Sequence, residues 1–451
     1  MKKLILLFAA LALGLAAACE NTPAETAEAV NISELEDITL TISSPNMWTG
    51  LAHFARMYMD DNPGVEIIIN DWDGDFMRFI EQKPAMLMAG TADDLIDNLG
   101  GIDTRAPSTQ ALLADWLPIM RADPTFNDAY FFTNVFDALT IDGRMYNLPM
   151  AFSPTRLAYN TAIPGMSEEM FGRSSITMSE VHAIHRAFAP DDFFVHNSYD
   201  VLYATGFKIH SFIDFENRTA NFNTPEFINF ITESKALTHP DKEVGWTFAS
   251  TYYNPETMAD NSLRYLFQQQ FMGDPFQFLI PFEETLTFNG SIPIVNERGE
   301  VPIQAFPAYV LNGRSASEVQ AVAWDFIRFI LNPELFQIDV EAEISPMISM
   351  IPVYRPLLKF NLERQVPGWM SHFKENYGWR PTLSEEDTIE YVYNRLSELG
   401  STPLADRVYT PNAVTEIISE VMMQFHEGLV TAEQAAEDLQ NRVTLALMES
   451  M

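Results

Sequence analysis

Between Ile38 and Gly101 the apolar residues change period repeatedly, and that alternation constrains the fold more than any other feature of the chain. In "DITLTISS", Ile38, Leu40 and Ile42 alternate with polar residues, which predicts a strand. "GLAHFARMYMDDNPG" puts Leu51, Phe54, Ala55 and Tyr58 on one helical face and stops at Asn62, Pro63 and Gly64. "VEIIIND" reads as a second strand, "FMRFIEQKPAMLMAG" as a second helix, and "DDLIDNLGG" as a third short strand with its loop. Strands joined through helices predict parallel pairing in a doubly wound α/β lobe. Ligands of such sheets sit beyond the carboxyl ends of the strands. Here those ends are Ser43 to Trp48, Asp71 to Asp73 and Asp97 to Gly101.

The chain has 451 residues, long for one core and comfortable for two lobes. Residues from about 160 to 290 are richer in helix-like patterns. "TPEFINFITESKAL" opens on Thr224 and Pro225, a cap pair, and carries Phe227, Phe230 and Ile231 on one face. "EVQAVAWDFIRFILNPE" is periodic through Val319, Val322, Ala323, Phe326 and Ile330 and ends at Asn332 and Pro333, so Trp324 and Phe326 are assigned to the core. Two more helices close the chain, the second behind a capping box of Thr431 and Gln434.

Lys and Arg total 27 against 62 Asp and Glu, a net charge of −35. Such a surface repels phosphate backbones and anionic headgroups, which excludes nucleic acid as a partner class and otherwise signals solubility. The N-terminus "MKKLILLFAALALGLAAAC" has two lysines, an uncharged run from Leu4 to Ala18, then Cys19, the one cysteine of the chain. That run is shorter than the roughly 20 residues of a spanning helix and reads as a secretion signal. The segment is similar to a bacterial lipoprotein signal, which would make Cys19 the lipidated N-terminus. Cleavage after Ala18, leaving a free thiol, is the alternative. Residues 20–37 are polar and acidic and read as a tether.

Motifs for covalent, metal or nucleotide chemistry are absent from the sequence: there is no G-x-S-x-G, H-E-x-x-H, Walker loop or Rossmann glycine run. His182 and His185 share a helical face without a thiol nearby and read as surface histidines. The acidic pairs Asp93 with Asp94 and Glu283 with Glu284 could suggest glycoside hydrolysis, but adjacent acids arise by chance in a chain this acidic. What remains is a set of aromatics and amides near loops: Trp48, Trp72, Asn98, Tyr146, Tyr199, Trp246, Tyr252, Tyr253, Phe276 and Tyr409. Aromatics stack on the apolar faces of sugar rings, and amides or carboxylates meet their hydroxyl edges.

Several stretches, in order, resemble the extracellular solute-binding proteins of ABC importers, in particular the carbohydrate-binding branch that includes maltose-binding protein. "DGRMYNLPMAFSPTRLAYN" is similar to the family's D-G-K-x-Y-x-x-P…Y-N segment, and "LMAGTADDLID" to its A-x-G-x-x-P-D-(I/V) segment, with Asp93 where proline is common. "VEIIIND", "FNTPEFINFI", "AWDFIRFILNPE" and "TAEQAAEDLQNRV" resemble its second strand and three of its helices.

The resemblance implies a two-lobed periplasmic-binding-protein-like α/β fold, each lobe a doubly wound sheet flanked by helices, joined by a hinge. Residues 38–150 and 301–345 would form the N-terminal lobe, and residues 155–298 and 350–451 the C-terminal lobe. The segment from Asp142 to Asn160 would be the first crossing between lobes. The Asp142–Gly143 turn would make a hairpin, Pro149 would hold its neighbours extended, and the run to Tyr159 and Asn160 would enter the second lobe. By position, the ligand-binding residues implied are Asn46, Trp48, Asn98, Ser153, Tyr199, Phe276, Tyr409 and Asn412. Asn98 stands where the family carries a stacking aromatic, and Phe276 lies in "GDPF", which resembles the family's G-P-W segment.

The implied function is capture of an extracellular sugar or oligosaccharide by hinge closure and delivery to permease subunits. It would be performed by a monomer lipid-anchored at the outer face of the cytoplasmic membrane, with no cofactor, no metal and no catalysis. The alternatives are a binding protein for a peptide, polyamine or other polar solute, a surface glycoside-active enzyme, and a tethered sensor or adhesion protein.

Overall fold

The computed structural model describes residues 29–45, 50–98, 102–161, 163–188, 208–209, 211–214, 217–237, 267–270, 290–296, 298–334, 350–378, 380–406 and 412–449. The first lobe begins β1 (Ile38–Ser43), α1 (Leu51–Asp61), β2 (Val65–Asn70), α2 (Phe76–Ala89), β3 (Leu95–Asp97). β1 pairs in parallel with both β2 and β3, the crossover arrangement that the alternating periods require. Helix α1 buries Leu51, Phe54, Ala55 and Tyr58, the four residues of its apolar stripe. Helix α2 starts under the Asp75 carboxylate, which accepts from the Arg78 amide at 3.0 Å. It ends at Gly90, whose φ of 73° suits a residue without Cβ.

Helices α3 (Trp116–Ala122) and α4 (Thr133–Leu139) follow, then four short strands: β4 (Leu148–Pro149), β5 (Ala151–Pro154), β6 (Arg156–Tyr159) and β7 (Ile176–Thr177). Beyond them lie α5 (Met178–Phe188), the hairpin of β8 (Ile213–Asp214) and β9 (Thr219–Ala220), α6 (Pro225–Ala236) and β10 (Phe267–Gln270). The chain continues through β11 (Gly290–Val295), β12 (Val301–Ala305), β13 (Ala308–Leu311) and α7 (Ser317–Ile330). It closes with β14 (Ile351–Pro352), α8 (Arg355–Tyr377), α9 (Glu385–Ser397), β15 (Leu404–Asp406), α10 (Asn412–His426) and α11 (Ala432–Glu449).

Three larger sheets and the two-stranded β8–β9 hairpin organise the described elements. The first lobe's sheet has the order β2-β1-β3-β13-β4, with β13 antiparallel to both of its neighbours. Both of its faces are covered. Leu95, Tyr309 and Leu311 join one core, with α1 and α7. The intervening Ile96 and Val310 join another, with Phe79 and Leu87 of α2. Alternate residues on opposite faces, each meeting helices, are what a doubly wound sheet demands.

The second lobe's sheet, β10-β6-β11-β7, is mixed: β6 runs antiparallel to β10 and β11, and β11 parallel to β7. Its core joins Leu157, Ile292 and Ile294 to α5, α6, α10 and α11. The Thr224 hydroxyl caps α6 by accepting from the Phe227 amide, and Thr431 and Gln434 cap α11 reciprocally at 3.2 and 2.9 Å. The third sheet, β14-β5-β12-β15, lies where the two lobes meet. Residues of α8, α9 and β15, grouped with the second lobe on sequence, pack into the first core through Leu358, Leu362, Val366, Val392, Leu396 and Leu404.

His182 corrects a sequence expectation. It is 3 % exposed, not on the surface. Its Nδ1 lies 2.9 Å from Glu233, and its Nε2 lies 3.4 Å from the Ser234 hydroxyl, so α5 and α6 join through it. Burial pushes its pKa below the ordinary histidine range, against the Glu233 carboxylate.

Candidate functional site

The carboxyl ends of β1, β2 and β3 form one edge of the first sheet. Ser44, just past β1, donates to the Asp97 carboxylate at 3.2 Å. Asp97 ends β3 with no exposure to solvent. Beneath it, Lys83 of α2 is 2 % exposed, donates to the Asp97 carbonyl at 3.0 Å, and stands 4.3 Å over the Phe79 ring. Desolvation pushes the Lys83 pKa down to about 7, and the nearby Asp97 charge limits the fall. A buried amine, charged below about pH 7, and a buried carboxylate therefore support the edge from below.

Asn98, the next residue, is half-buried on this edge. Its amide N–H donates to Ala308 at 2.7 Å, and its Nδ2 donates to the Asn147 side chain at 3.2 Å. Its Oδ1 is buried without a hydrogen-bond partner among the described residues. An acceptor in that state costs free energy unless water or a ligand meets it. Ser153 lies in β5, opposite Gln304 of β12, in the sheet between the lobes. Asn412 is the first residue of α10. Asn46, Trp48, Tyr199, Phe276 and Tyr409 lie outside the described residues, as do Cys19, Trp246, Tyr252, Tyr253, Glu283 and Glu284.

Two aromatics considered for stacking are core residues. Trp72 is 6 % exposed, stacks edge-on against Phe79 at 5.5 Å, and donates its Nε1 proton to Ser43 at 3.3 Å. Tyr146 is buried in the same cluster. The left-handed backbone of Trp72 and Asp73 (φ 57° and 55°) turns the indole back under the sheet. The Asp93 and Asp94 carboxylates are also committed. Asp93 accepts from Ser43; Asp94 accepts from the Thr41 amide and hydroxyl at 3.0 and 2.7 Å and from Ser315 at 2.6 Å. They hold strand ends and loops together. Among the described residues no group of His, Cys, Asp and Glu could hold a metal ion.

Among the described residues the chain changes from one core to the other at three places. At the first pass Phe152 of β5 lies in the first core and Leu157 of β6 in the second; at the next, β11 leaves the second core and β12 enters the first. At the third, Leu404 of β15 lies in the first core and Val414 of α10 in the second. The passes are neighbours. The Thr155 amide donates to Pro302 at 2.8 Å, and its carbonyl accepts from Ile294 at 3.1 Å. β12 lies between β5 and β15. The Asp142–Gly143 turn, with both φ positive, forms the tight hairpin upstream of the first pass.

Sequence reasoning missed three charged groups at this junction. Arg105, in the loop beyond β3, bonds the Asp406 carboxylate at the end of β15, at 3.1 Å. Burial raises the Asp406 pKa to about 6 in spite of Arg105. The Arg105 Nε is buried without a partner among the described residues. Arg156, the first residue of β6, donates to the Ser291 hydroxyl at 2.8 Å and carbonyl at 3.0 Å. Burial, with Arg395 close by and Glu398 opposing, lowers its pKa to about 10, so the end of α9 faces the start of β6. Partners this far apart in the chain leave no periodic signal.

No protein-family model and no curated protein sequence matches this chain. Solved structures do. The sugar-binding protein MalE of Xanthomonas citri aligns with a TM-score of 0.59 at 14% identity, over 91% of this chain and 98% of its own. An extracellular solute-binding protein of family 1 from Alicyclobacillus acidocaldarius gives 0.55 at 13% identity, over 91% and 99%. An ABC substrate-binding protein of Listeria monocytogenes, solved with cycloalternan, gives 0.53 at 14% identity, over 92% and 100%. With two separate cores, three adjacent passes between them and alignments along almost the whole length, the chain has the two-lobed fold of ABC-importer solute-binding proteins.

Proposed function

We propose that this protein is the solute-binding component of an ABC importer, and that it captures a sugar or oligosaccharide by closing its lobes. The observation that carries the reading is the side-by-side arrangement of the three passes, since lobes joined by a narrow band of backbone can rotate without repacking either core. Contacts made by both lobes exist only when the cleft is closed, so ligand draws the population there. Structures sharing the fold were solved with cycloalternan or described as binding cyclic maltosyl-maltose, which supports a carbohydrate.

The cleft contacts proposed are Asn46, Trp48, Asn98, Ser153, Tyr199, Phe276, Tyr409 and Asn412. Among the described residues, the buried Asn98 Oδ1 has no partner, which supports its assignment. Its partners would be two permease subunits. Cys19 would carry a lipid that anchors the protein, as a monomer, at the outer face of the cytoplasmic membrane. Residues 38–150 with 301–345, joined by the 350–404 segment that packs into their core, would move as one lobe. Residues 155–298 with 412–451 would form the other. The protein would return its ligand chemically unchanged.

The test is calorimetry of the purified protein against maltodextrins, cyclic glucans, peptides and polyamines, with small-angle scattering of the bound form. Binding of a glucan with a reduced radius of gyration supports the reading. Binding of a peptide or polyamine alone, or turnover that vanishes with one carboxylate substitution, overturns it.

A further inference from the structure

A second concave surface lies on the first lobe, away from the strand ends just described. Helix α1 leaves the carboxyl end of β1 and returns the chain to the start of β2. Its last turn, with Tyr58, and the following Asn62 are therefore at the opposite edge of the sheet from Asn98. Tyr58 and Asn62 line a groove of about 460 Å³ there, within the roughly 300–1,000 Å³ of small-molecule sites.

The groove's floor is aromatic. Phe126 packs on Phe131 at 5.2 Å and edge-on against Trp324 at 5.9 Å. At the rim Tyr130 meets Tyr354 edge-on at 6.2 Å, with half of Tyr130 open to solvent. Three amides among the lining residues are each fixed at one end. Asn62 donates its Nδ2 to the Tyr58 carbonyl, while Asn127 and Asn332 accept from the Ala129 and Glu334 amides through Oδ1. This leaves one carbonyl oxygen and two amino groups, oriented by the backbone, with no partner among the described residues.

The charge is settled internally. Arg328 lies 3.5 Å from Asp123 and also bonds Asp325 and Thr125, and Asp325 accepts from Tyr58 at 2.8 Å. The guanidinium is thus neutralised and ties the loop after α3 to α7. With Glu334 as the remaining acid, the described lining residues have no cation to offer an anionic ligand.

We propose that this groove is a second binding site for a neutral polyhydroxylated ring, a carbohydrate, separate from the cleft between the lobes. Tyr130 supplies a face for the ring, and Asn62, Asn127 and Asn332 meet its hydroxyls. The inference goes beyond the transport reading and does not depend on it.

The full chain, labelled with 5-fluorotryptophan and with the Trp324 resonance assigned from Trp324→Phe, is titrated with maltotriose. If Trp324→Phe does not fold, the assignment comes from the neighbouring variant Phe126→Leu. A saturable shift of that resonance is expected, weakened about tenfold in Tyr130→Ala and in Asn127→Ala, with unfolding midpoints unchanged. Absence of a saturable shift up to the solubility of the sugar overturns the proposal. So does an equal shift in both variants, or a shift produced by phenol and not by any sugar. Because the readout sits across the lobe from the cleft, such a failure leaves the transport reading intact, and loss of cleft binding leaves this result intact.

Discussion

The Arg105 guanidinium lies 3.1 Å from the Asp406 carboxylate, although the two residues are 301 positions apart in the chain. One stands in the loop beyond β3, and the other ends the strand from which the chain makes its last pass to the second lobe. The pair fastens that pass to the cleft edge of the first lobe.

Asp406 makes this fastening pH-dependent. Its folded-state pKa of about 6 stands above the ordinary 3.8, so the folded protein keeps a proton that the unfolded chain has released. The wild type should gain stability relative to Asp406→Asn as pH falls from about 6 towards 4, and lose it as pH rises through 6. The difference should be on the order of 2–3 kcal/mol across the window. Urea unfolding of both proteins at several pH values measures it; parallel curves would refute the assignment.

Lys83→Met should cost on the order of 3–5 kcal/mol. The substitution removes the buried cation beneath β3 and leaves the solvent-inaccessible Asp97 carboxylate without that charge. Guanidinium denaturation reads the loss. A variant as stable as wild type would mean that the Lys83 amine does not hold β3.

Trp72→Ala and Trp324→Ala should behave alike. Each indole is almost wholly buried and hydrogen-bonded through Nε1, to Ser43 and to Asp123 respectively. Each replacement should destabilise the protein by about 3–5 kcal/mol. If Trp72→Ala instead leaves the unfolding midpoint in place and abolishes glucan binding, Trp72 belongs to the cleft.

Thr431→Ala should cost about 1 kcal/mol by uncapping α11. The hydroxyl accepts from the Gln434 amide and the Gln434 side chain accepts in return from Thr431. Gln434→Ala should cost less, since one of the two bonds survives. Thermal unfolding of the three proteins orders them, and a reversed order would show that the box is not the cap.

The first lobe was legible because its crossovers are local. The apolar stripes of 51–61 and the alternation of 38–43 each lie within one element, and the four residues read as the inner face of α1 are its four buried residues. Trp72 misled because its direction is decided by two left-handed residues, which nothing in the surrounding pattern announces. His182 misled for a related reason: its partners Glu233 and Ser234 come from a helix about fifty residues away. The α8–α9 pair resembles any C-terminal helical segment in composition, and only packing reveals which core it joins. Of the candidate site, Asn98 was nominated by its position in the sequence, whereas Arg105 and Asp406 needed the fold to bring them together.

The place of β13 has a consequence for how the protein is made. It fills the gap between β3 and β4, although it is synthesised some 160 residues after β4. Until Leu311 emerges from the ribosome, β3 and β4 are bare edges, and Trp116 lacks the Tyr309 carbonyl that receives its indole proton. A nascent chain stopped near residue 300 should therefore exchange the β3 amides rapidly, where the finished protein protects them. A chain built in this order cannot close its first sheet until more than two thirds of its length exists.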